Sequence, residues 1–239
     1  MAMNQKTSFI IEGAGNLLAR FRTSSRQRRA KMFLDHFDLT SETKILDLGG
    51  WNGVHIHAVL ENSPVQPANV YIADIDGQAV QQASERFGFV PVVIPEAGPL
   101  PFPDKFFDIV FCSSVIEHVT VPKDSVWTLV SGRIFREEAQ RHQGEFAREI
   151  IRLGNGYFVQ APYRWFPIET HSWLPFVSYL PRRLQVPLFR FTNRYWVKQT
   201  SPDFYLPTVK DMQRYFPEAN ILEERVLGLT KSLIAYQRS

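Results

Sequence analysis

The sequence has one cysteine, Cys112, set inside an apolar run, so no intrachain disulfide can form. That excludes the disulfide-stapled secreted scaffolds and suits a reducing compartment, so a cytoplasmic protein is expected. No stretch approaches the roughly 20 apolar residues of a membrane-spanning helix. No apolar run precedes a small-residue cleavage site near the N-terminus, so a secretory signal is not expected. Internal repeats and low-complexity segments are absent as well. What is there is a chain of 239 residues, 44% hydrophobic and 21% charged, enough for one large α/β domain with a sizeable core.

The net charge of +3 hides an asymmetry. Arg20, Arg22, Arg26, Arg28, Arg29 and Lys31 form a basic run with no acid among them, and Arg164, Arg182, Arg183, Arg190, Arg194 and Lys198 face only Glu169 and Asp203 within 164–205. The rest of the chain is acidic. Basic patches on an acidic protein suit an anionic partner, such as phosphate, a membrane surface or nucleic acid; a solvated helix face is the alternative.

Residues 1–43 read as an N-terminal helical extension, with Met32, Phe33, Leu34, Phe37 and Leu39 suited to lie on the domain. The pattern then changes. KILDLGG (44–50), NVYIADID (69–76), FVPVVI (89–94), FFDIVFCSS (106–114) and GYFVQAPY (156–163) read as five strands. Helical segments fit near 54–61, 77–86, 115–120 and 133–153, the last ending at Gly154 and Gly156, where C-caps prefer glycine. Strands alternating with helices imply right-handed crossovers and a doubly wound, mainly parallel sheet. After a helix at 208–216, ILEERVLG (221–228) and KSLIAYQ (231–237) read as an antiparallel hairpin. Over residues 44–239 these segments amount to seven strands, expected to form a Rossmann-like α/β sheet.

Residues 164–205 break the rhythm with eleven aromatic residues and five prolines. Ligands of open parallel sheets lie outside the carboxyl ends of the strands. An aromatic-rich insertion after strand 5 starts at that edge and is placed to act as a lid or substrate wall. Trp173, Leu174, Phe176, Val177, Tyr179 and Leu180 precede Arg182 and Arg183, a mixture that suits peripheral contact with the inner face of a membrane. A second small core that buries these aromatics is the competing expectation.

The strongest local signal is DLGGWNG at 47–53: a strand ending in Asp47, a turn rich in glycine at Gly49, Gly50 and Gly53, then a helix. Glycines allow a tight turn and close approach of backbone to a ligand. The dinucleotide pattern G-x-G-x-x-G fails, because its first glycine would fall on Leu48. Asp74 ends the second strand 21 residues after Gly53, where an acid accepts hydrogen bonds from ribose hydroxyls; Asp76 is its competitor, with helix capping as the plain alternative. The run EAGPLPFPDKFFDIVFCSSVIEHV (96–119) completes the set.

Together these elements resemble class I S-adenosylmethionine-dependent methyltransferases of the type 11 class. In their first motif an acid precedes G-x-G-x-G; Gly49 and Gly53 match the outer glycines, while Trp51 stands at the middle one. The resemblance implies S-adenosylmethionine as cofactor, with Asp74 and the adjoining Ile75 on the nucleoside, Glu96 and Ala97 near the adenine amino group, and Ser113 beside the methionine part. Asp108 and Glu117 are read as structural. APYRWFPIETHSWLPFVSYLPRR (161–183) resembles a bacterial subset with a P-I-E-x-H element, here Pro167 to His171, associated with surface polysaccharide or lipid pathways.

The expected reaction is O-methylation of a small-molecule, glycan or lipid-linked hydroxyl. His171 is the expected general base, because a neutral imidazole accepts a proton near neutral pH; Glu169 orients it, and His118 is its rival. Nucleic acid is disfavoured as the acceptor, since Ser113-Ser114-Val115-Ile116 stands where base methyltransferases carry N/D-P-P-Y/F. A methyltransferase acting on protein or nucleic acid is retained as an alternative. So is a non-catalytic binding subunit, for which Trp51 is the best support.

Overall fold

A computed structural model describes residues 26–96 and 98–238; Arg20, Arg22 and Ala97 lie outside them. Seven strands form one sheet: β1 (Ile45–Leu48), β2 (Val70–Asp74), β3 (Val90–Val93), β4 (Phe107–Ser113), β5 (Gly154–Pro162), β6 (Asn220–Val226) and β7 (Leu229–Gln237). Their spatial order is β3-β2-β1-β4-β5-β7-β6. β1 to β5 pair in parallel, and β7 runs antiparallel to β5 and β6. The expected doubly wound, seven-stranded, mainly parallel sheet is therefore the observed one.

Helices cover both faces, which is why the central strands read as unbroken apolar runs. On one face Leu46, Val110, Cys112, Tyr157 and Val159 pack under α4 (Gly132–Leu153) and α6 (Val209–Tyr215). On the other, Ile45, Ile72, Phe111 and Phe158 meet α2 (Val54–Leu60) and α3 (Gly77–Phe87). Alternate residues of β4 and β5 thus feed two cores. Helix α1, through residues 26–34, joins the second: Phe33 is fully buried, edge-on to Phe111 and Phe158. Phe37 is buried in the same core, with Met32 and Leu39 packed against it.

Local differences from the sequence expectations have simple causes. The helix expected at 115–120 shrinks to one 3-10 turn, Ile116–His118. Gly154 follows α4 in an extended conformation and starts β5. It is needed for space, since a Cβ there would lie 2.5 Å from the Gly156 carbonyl oxygen.

The 164–205 insert carries a 3-10 turn, Val177–Tyr179, and an eleven-residue helix, α5 (Arg182–Thr192), with Pro187 inside it. Val177, Phe189, Phe204 and Leu206 bury a small core of their own with Trp127 and Leu174 against it. Trp165, Phe176, Tyr179, Phe191, Tyr195 and Val197 stay exposed. No helix among the described residues is long and apolar enough to cross a membrane.

Candidate active site

The carboxyl ends of β1, β2 and β4 converge on the glycine turn. Gly49 and Gly53 adopt positive φ, and so does Trp51 between them, at φ 48. The tryptophan keeps the left-handed geometry of the glycine it replaces, with its ring 58% exposed. A non-glycine residue there costs on the order of 1–3 kcal/mol, offset by a hydrogen bond: Trp51 N–H donates to Asp74 Oδ2 at 2.9 Å. Asp74 Oδ1 accepts from Asp76 N–H at 3.0 Å. One carboxylate so ties the glycine turn to the end of β2. Asp76 is the N-cap of α3, accepting from Gln78 and Ala79. The two acids are thereby separated, with Asp76 the cap and Asp74 the residue that faces the turn. Ile75, between them, is exposed.

Close approach explains the other glycines. A Cβ on Gly50 would sit 2.3 Å from Asp47 Oδ2, and one on Gly49 would meet Val115 at 2.4 Å. Asp47 is only 3% exposed, and its Oδ2 has no hydrogen-bond partner among the described residues. Burial, and then the nearby Asp74 charge, push its pKa up to about 8. An orphaned buried carboxyl beside a cradle that any side chain would fill fits a ligand with donor or cationic groups. The residues present therefore fit S-adenosylmethionine.

Glu96 stands on the loop after β3, largely exposed, 3.8 Å from Lys123 Nζ. Ser113 donates to Gln160 Oε1 at 2.8 Å, while Arg29 Nη1 reaches Ser113 Oγ at 3.1 Å and Gln160 Oε1 at 2.5 Å. Arg29 and Gln160 had no motif to announce them. They come from a helix and a strand remote in sequence.

On the acceptor side, the P-I-E-x-H element folds into a tight turn around Glu169. This buried carboxylate accepts from the backbone N–H groups of His171 at 2.7 Å and Ser172 at 2.6 Å, from Ser172 Oγ at 2.7 Å, and from His171 Nδ1 at 2.6 Å. Burial alone would raise the Glu169 pKa, but these donors hold it below the usual carboxylate value. The ring of His171 stacks on Phe204 and lies edge-on to His118. Its Nε2 faces Glu117 Oε1 at 3.8 Å.

Glu117 was expected to be structural. It is fully buried, with neither carboxylate oxygen hydrogen-bonded among the described residues. It follows two residues after Val115, which packs on Gly49, and its Oε1 faces His171. The neutral imidazole expected of His171 is corrected. Burial lowers its pKa, but Glu117 and Glu169 outweigh that and hold it up at about 9. His118 Nδ1 lies 3.4 Å from Asp203 Oδ2. Asp108 is structural as expected, its Oδ2 accepting from Lys44 N–H at 2.8 Å.

Beside this cluster, across Phe204 and Tyr205, lies a cavity of about 320 Å³. Its charged lining is all arginine: Arg133, Arg136, Arg164, Arg182 and Arg183. Arg182 is spent on the carbonyls of Leu129, Pro202 and Val126.

Residues 46–130 match the family model described as a methyltransferase domain. Among solved structures, the fold is similar to a methyltransferase from Haloferax volcanii solved with the Trm112 activator (11% identity over 99% of this chain and 98% of that one, TM-score 0.52). It is also similar to an S-adenosylmethionine-dependent methyltransferase from Listeria monocytogenes (13% identity, 90% and 97% covered, TM-score 0.51). A third is magnesium protoporphyrin IX methyltransferase from Synechocystis PCC 6803, solved with S-adenosylhomocysteine (14% identity, 91% and 84% covered, TM-score 0.50). No curated protein sequence matches the chain. With the family match falling on the strands and glycine turn just described, residues 46–130 carry a methyltransferase domain, on a fold similar to that of S-adenosylmethionine-dependent methyltransferases.

Proposed function

We propose that the chain methylates a hydroxyl of a small-molecule, glycan or lipid-linked acceptor that also bears an anionic group such as phosphate. The observation that carries this reading is the buried row Glu117–His171–Glu169, set just past the residue that packs on the glycine turn. S-adenosylmethionine, held by Asp47, Gly49, Gly50, Asp74 and their neighbours, supplies an electrophilic methyl group when bound. The chain's own task is to position a hydroxyl and manage its proton. Glu117 offers two acceptor oxygens without hydrogen-bond partners among the described residues, and His171 sits beside it, fixed by Glu169. The Glu117–His171 pair thus takes the place of the lone imidazole base, with Glu169 orienting and His118 at its edge. Four arginines with no acid in the neighbouring cavity support an anionic acceptor.

A panel of phosphorylated and neutral hydroxyl acceptors, read by formation of S-adenosylhomocysteine, tests this. Against the best acceptor, His171→Ala is expected to lower turnover by about 10²–10⁴-fold with cofactor affinity retained, and Glu169→Gln by less. Wild-type turnover in His171→Ala, or a uniform preference for uncharged acceptors, contradicts the reading.

A further inference from the structure

Glu117 is a fully buried carboxylate with no hydrogen-bond donor on either oxygen among the described residues. Such a group is costly unless a positive charge meets it, a role open to the His171 imidazolium or to a bound cation in its place. Two side chains beside it, His118 and His171, also offer ligand atoms. One atom each of Glu117, His118 and His171 lies within 4.8 Å of the others.

The two imidazoles are prepared in the same way. Nδ1 of His171 is held by Glu169 at 2.6 Å, and Nδ1 of His118 faces Asp203 at 3.4 Å. Metal-binding histidines are typically oriented like this, a carboxylate on one ring nitrogen and the ion on the other. That leaves Nε2 as the ring nitrogen each histidine has to offer an ion. Nε2 of His171 stands 3.8 Å from Glu117 Oε1. That is too long for a hydrogen bond, but it suits two ligands of one ion, which lie about 3.4 Å apart when bonds of about 2.1 Å meet at a tetrahedral angle.

We propose that Glu117, His118 and His171 bind one divalent transition-metal ion, Zn²⁺ or Mn²⁺, on the acceptor side of the cofactor corner. Two imidazole nitrogens and one carboxylate favour these ions over Mg²⁺ and Ca²⁺, which prefer all-oxygen sites. Three protein ligands leave a coordination position open. The acceptor's hydroxyl oxygen fits that position, where the ion lowers its pKa and fixes its place. This catalytic use rests on the O-methylation reading above; the binding of the ion does not. Closing the cluster onto an ion requires side-chain shifts of about 1–1.5 Å, given the bond lengths above.

The test uses the full chain, stripped with a chelator and titrated with zinc, and separately with manganese, by calorimetry. One equivalent is expected to bind. Glu117→Gln and His171→Ala should abolish measurable binding, and Glu169→Gln should weaken it about 10–100-fold by releasing Nδ1 of His171. The exposed His57→Ala serves as control and should bind like wild type. Each variant is first shown to bind S-adenosylhomocysteine, which reports an intact fold. Should His171→Ala fail to fold, the visible absorption of cobalt(II) bound to wild type and to Glu169→Gln decides, since the spectrum must change if His171 is a ligand. A wild-type chain that binds neither zinc nor manganese overturns the site. Binding that persists unchanged in Glu117→Gln and His171→Ala overturns it as well. Ion binding lost in those variants, in a chain that methylates no hydroxyl acceptor, supports the site and refutes O-methylation instead.

Discussion

Replacing Asp74 separates two roles that one carboxylate fills. Its oxygens each accept a backbone N–H, from Trp51 at 2.9 Å and Asp76 at 3.0 Å. The lone pairs left over are those the ribose hydroxyls of the cofactor would use. Asp74→Ala removes the charged acceptor, worth about 1–3 kcal/mol, or about 5–150-fold in affinity. It also frees the Trp51 peptide, which sits in a left-handed conformation that the hydrogen bond helps to hold. Asp74→Asn keeps the shape but has only one acceptor oxygen, so one of the two N–H donors must face an NH₂ group. The asparagine variant is therefore expected to bind nearly as poorly as the alanine variant. Calorimetry with S-adenosylhomocysteine reads the affinity, and thermal melts read any separate loss of stability. Wild-type affinity in Asp74→Ala would refute the placement of the nucleoside at this corner. Full affinity in Asp74→Asn would show that neither the charge nor the second acceptor matters.

Two further outcomes follow from burial. Phe33→Ala should destabilise the fold by about 3–5 kcal/mol in urea unfolding, because the ring is fully buried against Phe111 and Phe158; a loss below about 1 kcal/mol, well short of that range, would mean that α1 does not belong to the core. Asp47 keeps its proton in the folded protein up to about 8 but ionises near 3.8 when unfolded. The folded state then binds the extra proton between those values, so stability falls as pH rises through that window, by a few kcal/mol in all. Asp47→Asn, neutral at every pH, should lose that decline; an unchanged pH slope in urea melts would show that another group is responsible.

The sheet was legible because its strands are short apolar runs bounded by glycines and acids, a pattern set by burial on both faces. The cofactor corner was legible because chain-local sterics demand Gly49, Gly50 and Gly53 at fixed spacing. Trp51 looked like a defect in sequence, yet the backbone takes the glycine's conformation and the ring turns outward. Glu169 and His171 could be picked out because the turn that joins them is local. That Glu117 is buried with no hydrogen-bond partner among the described residues is something no spacing in the sequence shows. Arg29 and Gln160 reach Ser113 from 84 and 47 residues away. The arginine-lined cavity gathers residues of α4, the end of β5 and α5, so only the packed chain brings them together. The 3-10 turn at Ile116–His118 carries apolar and polar residues that read equally well as a longer helix.

A site for S-adenosylmethionine at the glycine turn and Asp74 stands or falls on one measurement. Titrating the wild-type chain with S-adenosylhomocysteine in a calorimeter tests it without any knowledge of the acceptor. One site per chain is expected, with micromolar-scale affinity, roughly −7 to −8 kcal/mol. No heat of binding, and no shift of the melting temperature at saturating ligand, would contradict it.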